Sequence, residues 1–355
     1  MTANSSNAFV CGFQRHSEDV TLNPRTVDNW RMPKAIRIHA HGGPEVMQWV
    51  DVPAPAPGPG EVLIRQTAVG LNYIDTYHRS GLYPLALPCG LGSEAAGVVE
   101  ALGAGVEDFS PGDRVAYAGS APGAYAELRA MPAARLVKLP RGISERTAAA
   151  LMLKGMTAHY LLRRTFPVKR GDTLLVHAAA GGVGSVLVPW AVHLGATVIG
   201  TAGSADKVER ARASGCHHAI NYRTQDFVAE VKKLTEGRGV DVVYDAVGGD
   251  TFVKSLDCLR PLGMMVNFGN AAGKAPAIEP LILTAKGSLF LTRPSLKDYV
   301  ARREDLLNAA KALFHVIRSG VVAPAIGQTY ALKDAARAHA DLEARKTTGT
   351  TLLLP

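Results

Sequence analysis

Cysteine is scarce in this chain, with four in 355 residues at Cys11, Cys89, Cys216 and Cys258. No two stand at CxxC spacing and no disulfide framework is evident, so a reducing cytoplasm is the simplest setting. Aromatic residues make up only 6% and do not interleave with basic runs, as a base-stacking platform would require. The net charge of +8 is dispersed; the nearest things to clusters are Arg163-Arg164 with Lys169-Arg170, and Arg302-Arg303 followed at once by Glu304 and Asp305. Nucleic acid is therefore not the expected main partner. No uninterrupted apolar stretch reaches the roughly eighteen residues of a membrane span.

What is present points to a nucleotide. The run Val176-His177-Ala178-Ala179-Ala180-Gly181-Gly182-Val183-Gly184 follows an apolar strand, Thr173 to Val176, and opens a helix from Ser185 to Leu194. A strand, a small-residue turn and a helix N-terminus build a cradle in which backbone N–H groups and the helix dipole favour a pyrophosphate. Ala179 stands where the spaced glycine pattern asks for glycine, so the turn by itself is a weak signal. Repetition strengthens it. Apolar strands recur at Thr197 to Ala202, His218 to Tyr222, Val240 to Ala246 and Gly263 to Phe268, separated by helical stretches at Asp206 to Ser214, Asp226 to Leu234 and Thr251 to Leu259. Strands alternating with helices predict an α/β, doubly wound parallel sheet of the Rossmann kind. Pro189, inside the first helix, removes one backbone hydrogen bond and has no functional account.

The second strand ends without a carboxylate. In an NAD site an acid about 20 residues past the glycines takes the ribose hydroxyls. Here Gly203, Ser204 and Lys207 offer room, a hydroxyl and a cation, which suit a 2′-phosphate. The expected cofactor is NADPH; Asp206 is read as a first-turn helix acid, favourable against the helix dipole.

At 355 residues, 47% of them hydrophobic, the chain fits two domains with substantial cores. Residues 1–31 are polar and aperiodic, and read as a disordered or non-native extension. From Lys34 to about Lys138 strands and turns alternate, predicting a compact all-β module. Beyond residue 293 the pattern predicts a helix from Leu296 to Ile317, a strand near Gln328 to Ala331, a helix from Ala335 to Arg345 and a closing strand from Thr350 to Leu354.

Several segments together carry a family resemblance. They are Asn72-Tyr73-Ile74-Asp75-Thr76-Tyr77 with Arg79-Ser80-Gly81-Leu82-Tyr83-Pro84, then Leu91-Gly92-Ser93-Glu94-Ala95-Ala96-Gly97, Leu153-Lys154-Gly155-Met156-Thr157, Ile220-Asn221-Tyr222, and Asn267-Phe268-Gly269-Asn270. From Met32 to Pro355 the chain resembles the zinc-free medium-chain dehydrogenases/reductases, and among them the NADPH:quinone oxidoreductases related to zeta-crystallin. The resemblance implies a GroES-like β-rich catalytic domain at residues 32–153, a Rossmann NADPH-binding domain at 154–292, and a C-terminal segment at 293–355 that completes the first. It implies a cleft between the domains for nicotinamide and substrate, a homodimer, and no catalytic zinc, because Asn72 and Ser93 stand where zinc-dependent relatives carry Cys and His.

The same resemblance assigns roles. Asn72, Tyr77 and Tyr83 are the candidate catalytic residues, with Asn72 beside the nicotinamide ribose or a substrate oxygen and the tyrosines on the pocket wall. The cofactor residues expected are Tyr73, Asp75, Lys154, Thr157, Tyr160, Gly181, Gly182, Val183, Gly203, Ser204, Lys207, Tyr222, Phe268, Gly269, Asn270 and Arg345. Plainer roles compete: a turn amide for Asn72, ordinary packing for the tyrosines, a loop-fixing carboxylate for Asp75, a last-turn helix cation for Arg345. His217-His218 reads as structural, with no third ligand at metal spacing. Quinone reduction is the expected activity, because a quinone accepts electrons without a Lewis acid. The alternatives are reduction of an activated C=C bond in an enone or alkenal, with a tyrosine supplying the proton, and a non-enzymatic NADPH- or RNA-binding protein.

Overall fold

The computed structural model describes Met32–Pro355; the expectation for residues 1–31 lies outside the described residues. Six parallel strands form one sheet in the order His218–Asn221, Thr197–Ala202, Thr173–Val176, Val240–Asp245, Leu259–Asn267 and Phe290–Thr292. Numbered along the chain, that is the 3-2-1-4-5-6 order of doubly wound nucleotide folds, with the order reversing between Thr173–Val176 and Val240–Asp245. Val240–Asp245 is buried at every position, as a strand covered by helices on both faces must be. The turn 177–183 leaves the sheet at that reversal, where doubly wound folds form their ligand crevice.

A second sheet runs Ile326–Ala331, Thr350–Leu354, Glu61–Leu71, Glu94–Leu102, Arg114–Ala118 and Val137–Lys138, with Leu128–Pro132 also pairing with Glu61–Leu71. The closing strand, from the far end of the chain, lies antiparallel against Glu61–Leu71 through Thr351↔Leu71 and Leu353↔Val69. A smaller three-stranded sheet, Gln48–Asp51, Lys34–Ile38 and Cys89–Gly90, packs on this half.

Between the two large sheets runs the helix Glu145–Tyr160. Ser144 caps it by accepting from the Thr147 amide at 3.1 Å. Its Ala148, Ala149, Ala150, Leu151, Met152 and Met156 are all buried. One side packs on the strands Glu61–Leu71, Glu94–Leu102 and Arg114–Ala118; the other meets the helices Gly184–His193 and Arg303–Arg318. Small side chains permit the close approach to both: a Cβ on Gly155 would stand 2.3 Å from Leu313 Cδ1.

Three sequence expectations need correction. The β-rich half is not all-β, because Tyr73–Ser80 is a helix, started by extended Asn72 and stopped by Gly81 at φ 80°. A segment of eight residues with two tyrosines and no run of strong helix formers owes its helicity to these ends and to buried Asp75, Thr76 and Arg79. The helix expected from Leu296 to Ile317 is two, Leu296–Tyr299 and Arg303–Arg318. The Val300 carbonyl accepts from the Arg135 guanidinium at 2.8 Å instead of continuing the helical ladder. Finally, the strand expected from Gly263 starts at Leu259, and the helix before it ends at Leu256.

Candidate active site

The glycine-rich turn is built by sterics. A Cβ on Gly184 would lie 2.4 Å from the Ala179 carbonyl oxygen and 2.5 Å from that of Ala178, so only glycine lets the helix start this close to the strand. Ala178 itself is left-handed at φ 54°. Ala179, the departure from the glycine pattern, fits because its neighbour gives way: a Cβ on Gly200 would stand 2.7 Å from Ala179 Cβ. The space normally won by a glycine in the turn is won by one in the adjacent strand. No side chain caps the helix Gly184–His193, which leaves its N-terminal dipole facing the crevice. Gly181, Gly182 and Val183 line that mouth.

At the end of Thr197–Ala202, Gly203 lies against Tyr222, whose hydroxyl oxygen would be 2.6 Å from a Cβ there. Ser204 caps the helix Ala205–Ala213, its oxygen accepting from the Lys207 amide at 3.4 Å. Its hydroxyl proton remains free to donate. Burial and the nearby cations Arg345, Arg210 and Arg223 lower the Lys207 pKa. Arg345 arrives just beyond the helix Ala335–Glu343, on the other half of the molecule, and acts electrostatically on Tyr73 as well as on Lys207. Three arginines thus act electrostatically on Lys207, and Asp206 is the first-turn acid of the helix. Sequence reasoning named Lys207 and Arg345 but missed Arg210 and Arg223.

The crevice floor is a buried polar network. Glu94, fully enclosed, accepts from Lys154 Nζ at 2.6 Å, from Asn72 Nδ2 at 2.8 Å and from the Leu153 amide at 2.6 Å. Lys154 is itself 4% exposed, and its Cε would be 3.1 Å from a Cβ on Gly182. Its ammonium group is therefore held directly beneath the turn. Glu94 is another site residue that sequence reasoning passed over, although a carboxylate inside the apolar run Glu94-Ala95-Ala96-Gly97-Val98-Val99 was a signal that it needed a buried partner.

Asp75 is corrected. Its carboxylate has no exposure and accepts from the Asn72 amide at 2.9 Å, Ser93 Oγ at 2.7 Å and Tyr125 Oη at 3.1 Å. With both oxygens engaged it braces the helix Tyr73–Ser80 and does not reach a cofactor; burial pushes its pKa up to about 6. Tyr73 donates to the Leu342 carbonyl at 3.3 Å, tying that helix to the one that ends just before Arg345. Thr157 and Tyr160 are buried on the helix Glu145–Tyr160, and Tyr160 stacks on Tyr299 with ring centroids 4.4 Å apart. His217 Nδ1 accepts from the Val198 amide at 3.1 Å, a structural contact.

Tyr77 and Tyr83 meet edge to face at 5.3 Å. The Tyr77 hydroxyl accepts from the Asn270 amide at 3.2 Å, so its proton is free to donate to an incoming oxygen. Burial raises its pKa, which makes it a hydrogen-bond donor that keeps its proton at neutral pH. Oriented to satisfy both its groups, the Asn270 side chain donates to Gly269 and accepts from the Tyr83 hydroxyl at 3.0 Å, while Arg293 donates to Tyr83 at 2.9 Å. Phe268, Gly269 and Asn270 follow the strand Leu259–Asn267, with Gly269 packed so tightly on Ala246 that a Cβ would be 2.4 Å from its carbonyl oxygen. Arg293, also missed from the sequence, has no carboxylate partner among the described residues.

The metal positions of zinc enzymes do not fit zinc here: the Asn72 amide nitrogen donates to Glu94 and the Ser93 hydroxyl donates to Asp75. Among the described residues no three His, Cys, Asp or Glu side chains are grouped to hold a metal ion. No helix among them is long and apolar enough to cross a membrane.

Comparison with known proteins gives two family matches, the alcohol dehydrogenase GroES-like domain over residues 58–141 and the zinc-binding dehydrogenase domain over residues 182–313. Quinone oxidoreductase 1 of Escherichia coli is 49% identical, across 91% of this chain and 100% of its own. The 2-haloacrylate reductase of a Burkholderia species is also 49% identical, over 91% and 99%. The crystal structure of Escherichia coli quinone oxidoreductase complexed with NADPH superposes with a TM-score of 0.89 at 49% identity, covering 91% of this chain and 100% of that one.

The floor network makes a specific demand on stability. Glu94→Ala leaves the Lys154 ammonium buried without a counter-charge, and the expected loss is about 3–5 kcal/mol in a denaturant titration. A loss under about 1 kcal/mol would mean that the pair does not hold the floor.

Proposed function

The chain belongs to the quinone oxidoreductase family of medium-chain dehydrogenases/reductases, and on that premise we propose that it reduces quinones with NADPH, without a metal, in the crevice between its two large sheets. The observation that carries this reading is the strand end at Ala202: no carboxylate, a capping Ser204, and Lys207 under the electrostatic influence of Arg345, Arg210 and Arg223. Mutually repelling cations are costly unless a multiply charged anion joins them, and the 2′-phosphate of NADPH is such an anion.

NADPH bound along this track supplies the hydride. The turn at Gly181, Gly182 and Val183 and the uncapped helix behind it receive the pyrophosphate. Lys154, kept in place by Glu94, and Asn72, on the same carboxylate, hold the ribose and nicotinamide end. Thr157 and Tyr160 line that end of the connecting helix, and Phe268, Gly269 and Asn270 wall the nicotinamide from solvent. Tyr77 donates to the acceptor oxygen, and Arg293, which donates to the neighbouring Tyr83 hydroxyl, stabilises the negative charge that builds there. A quinone needs only orientation and a destination for that charge, which these groups provide.

A second reading is favoured by the 2-haloacrylate reductase relative. An acrylate carries a carboxylate, and Arg293 has no acid of its own, so an anionic activated alkene is the acceptor to test beside quinones. We also propose a homodimer. The edge strand Phe290–Thr292 leaves Phe290 56% and Leu291 38% exposed, an apolar edge suited to pairing with a second copy. The thiols of Cys89, Cys216 and Cys258 are free, which suits a cytoplasmic setting.

Nicotinamide oxidation by the purified protein with 1,4-benzoquinone, a naphthoquinone and 2-chloroacrylate tests the acceptor. Quinone turnover with NADPH is expected; turnover confined to the acrylate would replace the quinone reading, and none on any acceptor would reject both. Lys207→Glu should raise KM for NADPH by about tenfold or more while KM for NADH changes little; an equal loss for both would remove Lys207 from the phosphate site. Light scattering at micromolar concentration should give a dimer mass, and a monomer mass would contradict the edge-strand proposal.

A further inference from the structure

Arg79 is among the largest fully buried side chains of the molecule, 2% exposed, and none of the chemistry above uses it. Its Nη2 donates to both oxygens of Glu343, at 2.7 and 2.9 Å. Its Nε donates to the Gly42 carbonyl at 3.1 Å and its Nη1 to His339 Nδ1 at 3.0 Å. His339 in turn meets the Tyr125 hydroxyl at 3.0 Å through Nε2, and Tyr125 donates to Asp75. With Arg79 donating to Nδ1, the His339 proton sits on Nε2 and the ring is neutral; burial and Arg79 hold its pKa down, to about 3. Four of the five guanidinium N–H groups therefore have acceptors, and Gly42 and His339 fix the group from the sides opposite Glu343.

Glu343 is the last residue of the helix Ala335–Glu343, two positions before Arg345, and its side chain is 38% exposed. The Tyr73 hydroxyl donates to the carbonyl of Leu342, next to Glu343, at 3.3 Å, and Arg345 follows two positions later, so carboxylate and guanidinium lie in one neighbourhood beside Tyr73, on which both act electrostatically. An unpaired carboxylate there would do two things. It would pair with Arg345, and it would repel a 2′-phosphate.

We propose that Arg79 is a specificity-positioning residue: by taking both oxygens of Glu343 from the buried side, it keeps Arg345 free and the adenosine end net positive, and so sets the preference for the phosphorylated dinucleotide. The inference rests on the 2′-phosphate reading given under Proposed function. Arg79 touches neither cofactor nor substrate; it acts through Glu343 on Arg345.

The test is steady-state kinetics with a quinone acceptor, NADPH and NADH compared, on four variants checked for folding by circular dichroism. Arg345→Ala tests the premise: it should raise KM for NADPH and leave KM for NADH nearly unchanged, and equal effects on both would reject the phosphate reading itself. Arg79→Gln should raise KM for NADPH by about tenfold, with kcat and KM for NADH within about twofold of the parent protein. Arg79→Gln with Glu343→Gln removes the released carboxylate and should bring KM for NADPH back to within about threefold of the parent. If Arg345→Ala behaves as expected but Arg79→Gln leaves selectivity unchanged, or the double variant is no better than the single one, Arg79 serves structure alone and the proposal falls. Should Arg79→Gln fail to fold, Glu343→Gln alone decides: selectivity for NADPH kept or increased supports the proposal, and selectivity lost overturns it.

Discussion

The carboxylate of Glu94 is the constraint on which the crevice depends. A fully buried charge is tolerated only when paired and hydrogen-bonded, and Glu94 reaches that state by drawing three separate segments together. At the head of the helix Tyr73–Ser80 it takes the Asn72 side-chain amide, and from the connecting helix it takes Lys154 and the Leu153 amide. Lys154 then lies under Gly182, so the same electrostatic requirement that satisfies Glu94 sets the floor beneath the phosphate turn. Asp75 repeats the logic one layer down, where Asn72, Ser93 and Tyr125 saturate a second buried carboxylate. Asn72 and Ser93, at the positions that zinc enzymes devote to a metal, here serve these two carboxylates.

The nucleotide half was legible because its signals are local. Strands such as Thr173–Val176 and Thr197–Ala202 are short apolar runs bounded by turn residues, and the helices between them start at recognisable caps such as Ser204 and Asp226. The β-rich half was less so. The helix Tyr73–Ser80 has little intrinsic tendency to form and exists because buried Asp75 and Arg79 find partners far away in sequence, at Ser93, Tyr125, His339 and Glu343. The break at Val300 is likewise made by a distant residue, Arg135. Neither cause is written near its effect.

The site followed the same division. Ser204, Lys207 and the glycines were found from spacing within one βαβ unit. Tyr77, Tyr83 and Arg345 came from family resemblance, and their contacts with Asn270, Arg293 and the cation cluster depend on two halves of the chain facing each other. Asp75 was misread because a motif shows that a carboxylate is present but not which way it is turned. Ala179 shows the converse: its departure from the glycine pattern is explained only when Gly200 on the neighbouring strand supplies the missing space.

The central claim is that the strand end at Ala202, with Lys207, Arg345, Arg210 and Arg223, is a phosphate reader. Titration calorimetry with adenosine 2′,5′-bisphosphate and with 5′-AMP isolates that end of the cofactor from the chemistry. The account predicts that the bisphosphate binds at least about tenfold more tightly, with the gap narrowing as salt is added. Equal affinities for the two nucleotides, unchanged by salt, would contradict it.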